Sequence, residues 1–72
     1  MILRMRQERI DKDWTQEYVA EKVGTTYYTI QKIETGQRKP SYKVLVKLED
    51  LFNLPHHQLF AVVDDTHNLS EE

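Results

Sequence analysis

The sequence predicts an all-α fold, a compact bundle of five short helices. The clearest sign is an apolar stripe at positions i, i+1, i+4, i+7 and i+8 of one helix, formed by Val44, Leu45, Leu48, Leu51 and Phe52. In addition, glycine and proline residues divide the helical pattern into short segments. A chain of 72 residues is long enough for one domain with a small core and too short for two.

The first helix is predicted over residues 1–12, which are rich in the helix-forming residues Arg, Gln, Glu, Met and Leu. Its apolar contacts are expected from Met1, Ile2, Met5 and Ile10. A charged turn follows this segment, and Trp14 is expected to pack over the joint between the first two helices.

The second predicted helix is short and has clear signals at both ends. Thr15 can cap its N-terminus, because a threonine hydroxyl accepts a hydrogen bond from a free N–H group there. Val19, Ala20 and Val23 share one face. Gly24 is expected to end the helix, since glycine readily adopts a positive φ.

The third helix is predicted to begin after the Thr25-Thr26 pair and to end at Gly36, with Ile30 and Ile33 as its apolar positions. A polar and basic loop follows. Ser41 then caps the fourth helix, which carries the stripe described above.

The end of the domain is predicted to close the core. Asn53-Leu54-Pro55 breaks the fourth helix, and a last helical turn at about residues 56–60 is expected to bring Leu59 and Phe60 back to the core. The following Ala-Val-Val-Asp-Asp segment favours a short strand.

Charge is unevenly divided along the chain. All ten basic residues lie before Leu48, together with six acidic residues, which gives this part a net charge of +4. From Leu48 onward there are six acidic and no basic residues, a net charge of −6. We therefore predict one domain over residues 1–63, suited to a polyanion, and a flexible acidic tail over residues 64–72. The tail can equally be a solvated end without a binding role.

Several classes of function are disfavoured. The chain has no cysteine, which excludes disulfides and cysteine-based zinc sites. Arg4 and Arg6 follow the first three apolar residues at once, which disfavours a signal peptide. No apolar run approaches the roughly 20 residues of a membrane span. Adjacent His56 and His57 point in different directions on a helix and are expected to be solvated. We expect a cytoplasmic protein that is no enzyme and that binds no metal, cofactor or membrane.

The most informative unit is the pair of short helices on either side of Gly24. Only a three-residue turn separates these helices, so they must cross steeply rather than pack antiparallel. A steep crossing needs a small residue where the helices touch, and Ala20 supplies it. This is the physical basis of a helix-turn-helix, whose second helix enters the major groove of DNA.

The segment TQEYVAEKVGTTYYTIQKIETGQRKPS resembles the Cro/C1-type (XRE) helix-turn-helix transcriptional regulators, and is similar to the lambdoid phage repressors. The matching positions are Thr15, Gln16, Ala20, Val23, Gly24, Thr26, Ile30, Ile33, Glu34, Gly36, Pro40 and Ser41, with Val19 in place of the usual leucine. The resemblance covers residues 1 to about 61. It implies the lambda-repressor-like fold, with the helix-turn-helix formed by helices two and three.

The resemblance also implies roles for single residues. Arg9 and Glu34 match a structural ion pair that joins helix one to the end of helix three, and pairing is expected because an unpaired buried charge is costly. Gln16 matches a residue whose amide contacts a DNA phosphate at a helix N-terminus. Asp13 and Glu8 depart from the family pattern: Asp13 replaces a frequent glycine in the turn, and Glu8 is expected to pair with a basic neighbour or to shift the register of helix one.

The residues implied to contact DNA lie on helix three, on either side of it, and at the start of helix two. The base-reading residues are Tyr27, Tyr28, Gln31 and Lys32, and the phosphate-contacting residues are Gln16, Thr26, Thr35, Gln37, Arg38, Lys39 and Lys43. A tyrosine ring can pack on a thymine methyl group, and a lysine ammonium can bond guanine O6 and N7. Alternatively, one tyrosine folds back onto the core or bridges to helix two, and the basic loop is merely solvated.

These observations favour a sequence-specific regulator of transcription, in particular a repressor, that binds double-stranded DNA. The alternative is a protein-interaction module of the antitoxin or antirepressor type that retains the fold without DNA binding, which the overall net charge of −2 favours slightly. We expect a homodimer on a palindromic operator. Its candidate interface is residues 54–63, where Val62 and Val63 either pair with a second subunit or pack back on their own domain.

Overall fold

The computed structural model describes residues 2–63 and confirms the predicted all-α bundle of five helices, to which it adds a two-stranded sheet. In chain order the elements are β1 (Ile2–Leu3), α1 (Arg4–Asp11), α2 (Gln16–Val23), α3 (Tyr27–Glu34), α4 (Tyr42–Phe52), α5 (His56–Leu59) and β2 (Val62–Val63). The predicted acidic tail, residues 64–72, lies outside the described residues. Among the helices described, none is long and apolar enough to cross a membrane.

One apolar core joins the five helices. Its buried side chains are Met5, Val19, Ala20, Val23, Ile30, Ile33, Leu48, Phe52 and Leu59. In the stripe of α4, Leu48 and Phe52 are buried, while Val44 and Leu51 pack against the edge of the core. The predicted apolar faces of α2, α3 and α4 are therefore confirmed, and so is the return of Leu59 to the core.

The chain begins with a strand, so the helix predicted over residues 1–12 starts too early. Ile2–Leu3 pairs antiparallel with Val62–Val63, and the N–H group of Arg4 donates to the carbonyl of Ala61 at 2.8 Å. This pairing overrides local helix propensity, because it buries Leu3 to 7% exposure and pairs the backbone at both ends of the described segment, residues 2–63. The strand predicted after residue 60 is confirmed at Val62–Val63.

Ile10 does not join the core, contrary to the prediction. It is 41% exposed, whereas Met5 on the same helix is fully buried. Five residues separate the two side chains, which places them roughly 140° apart around the helix axis. Helix α1 can therefore bury one of these side chains but not both.

The turn after α1 shows how Asp13 replaces the glycine of the family pattern. Asp13 adopts a left-handed conformation with φ of 59°, a region in which Asp is tolerated better than most side chains. Its N–H group donates to the carbonyl of Ile10 at 2.9 Å. Trp14 then packs over the joint as predicted, with ring centroids 5.1 Å from Tyr18 and 5.4 Å from Phe52.

Glu8 pairs with its neighbours on α1, as the sequence suggested. Its carboxylate lies 3.3 Å from Arg4 Nε and 3.3 Å from Lys12 Nζ, one helical turn away on either side. These pairs are partly exposed to water, so each is expected to contribute little to stability.

Glu49 stabilises the corner between α4 and α5. Asn53 ends α4 with a left-handed φ of 57°, and the chain turns back toward Glu49. The Glu49 carboxylate accepts a hydrogen bond from the backbone N–H group of His56 at 2.7 Å. The same carboxylate oxygen lies 2.9 Å from Nδ1 of the His56 ring. It thus satisfies one free N–H group at the start of α5. His56, predicted to be merely solvated, is exposed but bonded.

We expect the corner to make the stability of the fold depend on pH. The hydrogen bonds of Glu49 to the side chain of His56, and then to its backbone, hold the pKa of Glu49 below its ordinary value of 4.5. Because the pKa is lower in the folded state, the carboxylate stabilises the fold above pH 4.5, and this contribution is lost as the pH falls below that value. We expect Glu49→Gln to lose less unfolding free energy than the wild type between about pH 5 and pH 3 in urea denaturation. Identical pH profiles for the two proteins would contradict this assignment.

Candidate nucleic-acid interface

Helices α2 and α3 form a tightly connected pair at the centre of the interface. Thr15 Oγ1 accepts from the N–H group of Tyr18 at 2.9 Å, and Thr26 Oγ1 accepts from the N–H group of Thr29 at 3.1 Å. Between the helices, Gly24 ends α2 with φ of 74°. Both predicted caps and the predicted glycine stop are therefore confirmed. Thr15 and Gly24 set the two ends of α2, and Thr26 sets the start of α3.

Helix α3 has one buried face and one exposed face. Ile30 and Ile33 are 0% and 1% exposed, whereas Tyr27 and Tyr28 are 44% and 57% exposed. Gln31 is also exposed. Neither tyrosine is buried in the core, so both aromatic rings are accessible on the outer face of the helix.

Arg9 and Glu34 tie α1 to the end of α3. Arg9 Nε donates to Glu34 Oε2 at 2.6 Å, and Arg9 Nη2 donates to Glu34 Oε1 at 3.3 Å. Arg9 Nη1 also donates to the carbonyl of Trp14 at 2.8 Å. The Glu34 side chain is 1% exposed and that of Arg9 is 12% exposed, so the pair is almost removed from water. The pair therefore fixes the C-terminal end of α3 to α1.

Gln16 belongs to this ion-pair network, although the sequence indicated only a DNA contact. Its Nε2 donates to Glu34 Oε1 at 3.0 Å, and the side chain is half-buried. An amide nitrogen carries two hydrogens, so one donor remains at the N-terminal end of α2, where the helix dipole favours an anion. Glu34 thus orients the side chain that the sequence assigned to a phosphate.

Three of the predicted DNA-contacting side chains come together on the outer face of α3. Lys32 Nζ donates to Gln37 Oε1 at 2.9 Å. The same ammonium lies 5.1 Å from the ring centroid of Tyr28, within the range of a cation–π contact. Tyr28 and Lys32 are one turn apart on the helix, and this i, i+4 spacing in the sequence was a usable signal of their contact.

The remaining predicted phosphate-contacting residues surround α3 on exposed loops and helix ends. They are Thr26, Thr35, Arg38, Lys39 and Lys43. The Thr35 hydroxyl lies within hydrogen-bond distance of two main-chain carbonyls at the C-terminal end of α3, at 3.1 and 3.2 Å. Within residues 2–63, neither Arg38 nor Lys39 takes part in a salt bridge, so both positive charges face solvent.

An apolar groove of about 450 Å³ lies beside the loop after α3. It is lined by Leu3, Ile33, Gly36, Arg38, Lys39, Pro40, Leu45, His56, Phe60 and Val62. Val62 is 59% exposed although it belongs to β2. An apolar surface of this kind next to polar residues is typical of a contact site.

The chemistry of this surface is that of non-covalent binding to a polyanion. It offers aromatic rings, amides, hydroxyls and ammonium or guanidinium groups, which suit base edges and phosphates. In the part of the chain that the structure describes, no three His, Cys, Asp or Glu side chains are grouped so that they could hold a metal ion.

Comparison with known proteins agrees with this geometry. A helix-turn-helix family model matches residues 5–59. An uncharacterized HTH-type transcriptional regulator of Archaeoglobus fulgidus is 35% identical over 65 residues, which cover 90% of this chain and 93% of that protein. The HTH-type transcriptional regulator AnsR of Bacillus subtilis is 36% identical over 58 residues, which cover 81% of this chain and only 50% of AnsR. No solved structure gives a significant match. The chain therefore belongs to the Cro/C1-type (XRE) family of helix-turn-helix DNA-binding regulators.

Proposed function

We propose that this protein binds specific sites in double-stranded DNA with α3 in the major groove and represses transcription there. The observation that carries the proposal is the division of α3 into two faces. Ile30 and Ile33 are fully buried, so the helix is fixed, while Tyr27, Tyr28 and Lys32 are on the side that can meet base edges. The resemblance to phage repressors supports repression rather than activation.

The residues around α3 supply the backbone contacts in this proposal. Arg38 and Lys39 on the loop and Lys43 on the first turn of α4 add positive charge next to the base-reading face. Gln16, held by Glu34, offers an amide hydrogen at the N-terminus of α2. Phosphate contacts of this kind set the register of a protein on DNA but carry no sequence information.

The proposal is tested by binding to a random DNA duplex while the salt concentration is varied. A protein that neutralises phosphates loses affinity with a log–log slope of about −0.9 per phosphate. The alternative, a protein-interaction module that retains the fold, predicts weak binding with no such slope. Selection from a random duplex library would then supply the preferred sequence for all further measurements.

Tyr28 is expected to read a base, since its ring is 57% exposed on the outer face of α3. Tyr28→Ala should weaken binding to the selected sequence by about 1–3 kcal/mol and relax the preference at one base position. Arg38→Ala is the control, because it should weaken all sequences alike and reduce the salt slope by about one unit. Wild-type affinity of Tyr28→Ala for both selected and random duplexes would remove Tyr28 from the base-reading residues.

We further propose that the protein acts as a homodimer on a palindromic operator. One short recognition helix reads only a few base pairs, and related regulators extend the site by placing two copies on half-sites about 34–36 Å apart. One edge of β2 is paired with β1 of the same chain, which agrees with the alternative that Val62 and Val63 pack on their own domain. We place the contact on the exposed Val62 and on the adjoining apolar groove.

Val62→Asp tests this dimer surface. We expect the wild type to sediment as a dimer at micromolar concentration and the variant to sediment as a monomer, because the substitution puts a charge into an apolar contact. Val62 is 59% exposed in one chain, so the monomer should still fold. Gln7→Glu adds the same charge on the exposed side of α1 and should leave the dimer intact. A wild type that is strictly monomeric and unchanged by Val62→Asp would remove this surface as the interface.

A further inference from the structure

The end of α3 places Gln37 beside Lys32. Gly36 has a φ of 78°, its N–H group donates to the carbonyl of Ile33 at 3.0 Å, and the N–H group of Gln37 donates to the carbonyl of Lys32 at 2.9 Å. These two bonds form a Schellman motif, in which the residue after the glycine folds back over the last turn of the helix. The backbone of Gln37 is therefore anchored to the residue that its side chain contacts.

Two groups restrain the Lys32 ammonium. The Gln37 carbonyl oxygen accepts a hydrogen bond from Lys32 Nζ at 2.9 Å, and the Tyr28 ring centroid lies 5.1 Å from the same nitrogen. The Lys32 side chain is half-buried in these contacts. A free lysine has many rotamers, and losing that freedom on binding costs free energy. Restraint before binding reduces this cost.

Proton counting shows that the restrained ammonium can still read a base. An ammonium group has three donors and no acceptor. One donor is used by Gln37, which leaves two for the O6 and N7 acceptors of a guanine. The Gln37 carbonyl oxygen accepts from Lys32, and the NH2 group of the same amide keeps both of its donors.

We propose that Gln37 is a positioning residue that holds the Lys32 ammonium over the Tyr28 ring, and that selectivity for guanine at the Lys32 position depends on it. Gln37 itself contacts no base in this arrangement. The inference rests on the proposed function, because it assumes that the outer face of α3 reads DNA. It adds a residue beyond that face to the determinants of specificity.

The first test uses the free protein and needs no DNA. In the wild type, the Lys32 Hε protons are expected at higher field than those of Lys39 and Lys43, because of the ring current of Tyr28. Lys12 and Lys22 also lie over aromatic rings, so they do not serve as references. Tyr28→Leu should abolish this shift, and Gln37→Ala should reduce it. Gln37→Glu, which keeps an acceptor at the same distance, should preserve it. An unchanged Lys32 shift in Gln37→Ala would overturn the positioning role.

The second test measures base preference on the duplex selected by the wild type. Gln37→Ala should reduce discrimination for guanine over adenine at the Lys32 position about 3- to 10-fold, measured as the ratio of the two affinities so that a loss common to all sequences cancels. The salt slope should stay unchanged, because Gln37 carries no charge. Lys39→Ala should do the opposite, with weaker binding to all sequences and the same base preference. Unchanged discrimination in Gln37→Ala would overturn only this inference. A wild type without salt-dependent duplex binding would overturn the proposed function, and this inference with it.

Discussion

Arg9→Met is expected to cost about 3–5 kcal/mol of unfolding free energy, because it leaves the Glu34 carboxylate buried without its charged partner. Glu34 is 1% exposed, and Gln16 alone would remain as a side-chain donor to it. A domain of this size has a total stability of roughly 3–9 kcal/mol, so the variant should lose between a third of its stability and all of it. Urea denaturation followed by circular dichroism measures the loss.

Two further variants separate the buried pair from surface charge in general. Arg9→Met combined with Glu34→Leu removes both charges, and the double variant should be more stable than Arg9→Met alone. Arg4→Ala breaks a pair whose arginine side chain is 41% exposed, and it should cost less than about 1 kcal/mol. A double variant as unstable as the sum of its single changes would contradict the assignment of a buried, mutually compensating pair.

Leu48→Ala is expected to destabilise the domain by about 2–5 kcal/mol through loss of apolar contact and creation of a cavity. Leu48 is fully buried at the centre of the α4 stripe, where α4 packs against both α2 and α5. Removing its side chain should therefore loosen the support behind the helix-turn-helix. Thermal denaturation of the free protein, and of the protein with DNA, would measure both effects.

Tyr42→Ala is the matched control for Leu48→Ala. Tyr42 lies on the same helix but is 80% exposed, so its loss should change the stability by no more than about 0.5 kcal/mol. Equal losses for the two variants would mean that α4 does not carry the core in the way described.

The local features of the fold could be predicted from the sequence because their causes lie within a few residues. Thr15, Thr26 and Ser41 cap the helices that follow them, as their positions indicated. Gly24 ends α2 for an equally local reason, its positive φ. The stripe of α4 also depends only on helical spacing: Leu48 and Phe52 are buried, while Val44 and Leu51 pack at the edge of the core and Leu45 is half-buried outside it.

The features that the sequence did not predict depend on residues far apart in the chain. The start of α1 is set by β2, about sixty residues later, and not by the helix propensity of the first residues. The bond from Gln16 to Glu34 joins two helices. The contact of Glu49 with His56 requires the exact direction of the corner after α4, which short-range patterns do not specify.

Part of the candidate site could have been found earlier from spacing. The i, i+4 separation of Tyr28 and Lys32 and the glycine before Gln37 are both local signals of contact. Their combination, in which Gln37 bonds Lys32 above the Tyr28 ring, depends on the path of the chain after α3, which the sequence pattern does not specify. The family resemblance assigned these three residues to DNA separately and did not indicate that they act together.

The most direct test of the central claim, that α3 meets DNA, is to follow backbone amide chemical shifts while the selected duplex is added. We expect the largest changes at residues 27–32 and 35–39, with a further change at Gln16. Changes at the other core residues, such as Val19, Val23 and Leu48, should be small because these residues are buried. If instead the changes are confined to α5 and β2, or if no duplex causes changes in α3, the claim that α3 reads DNA is wrong.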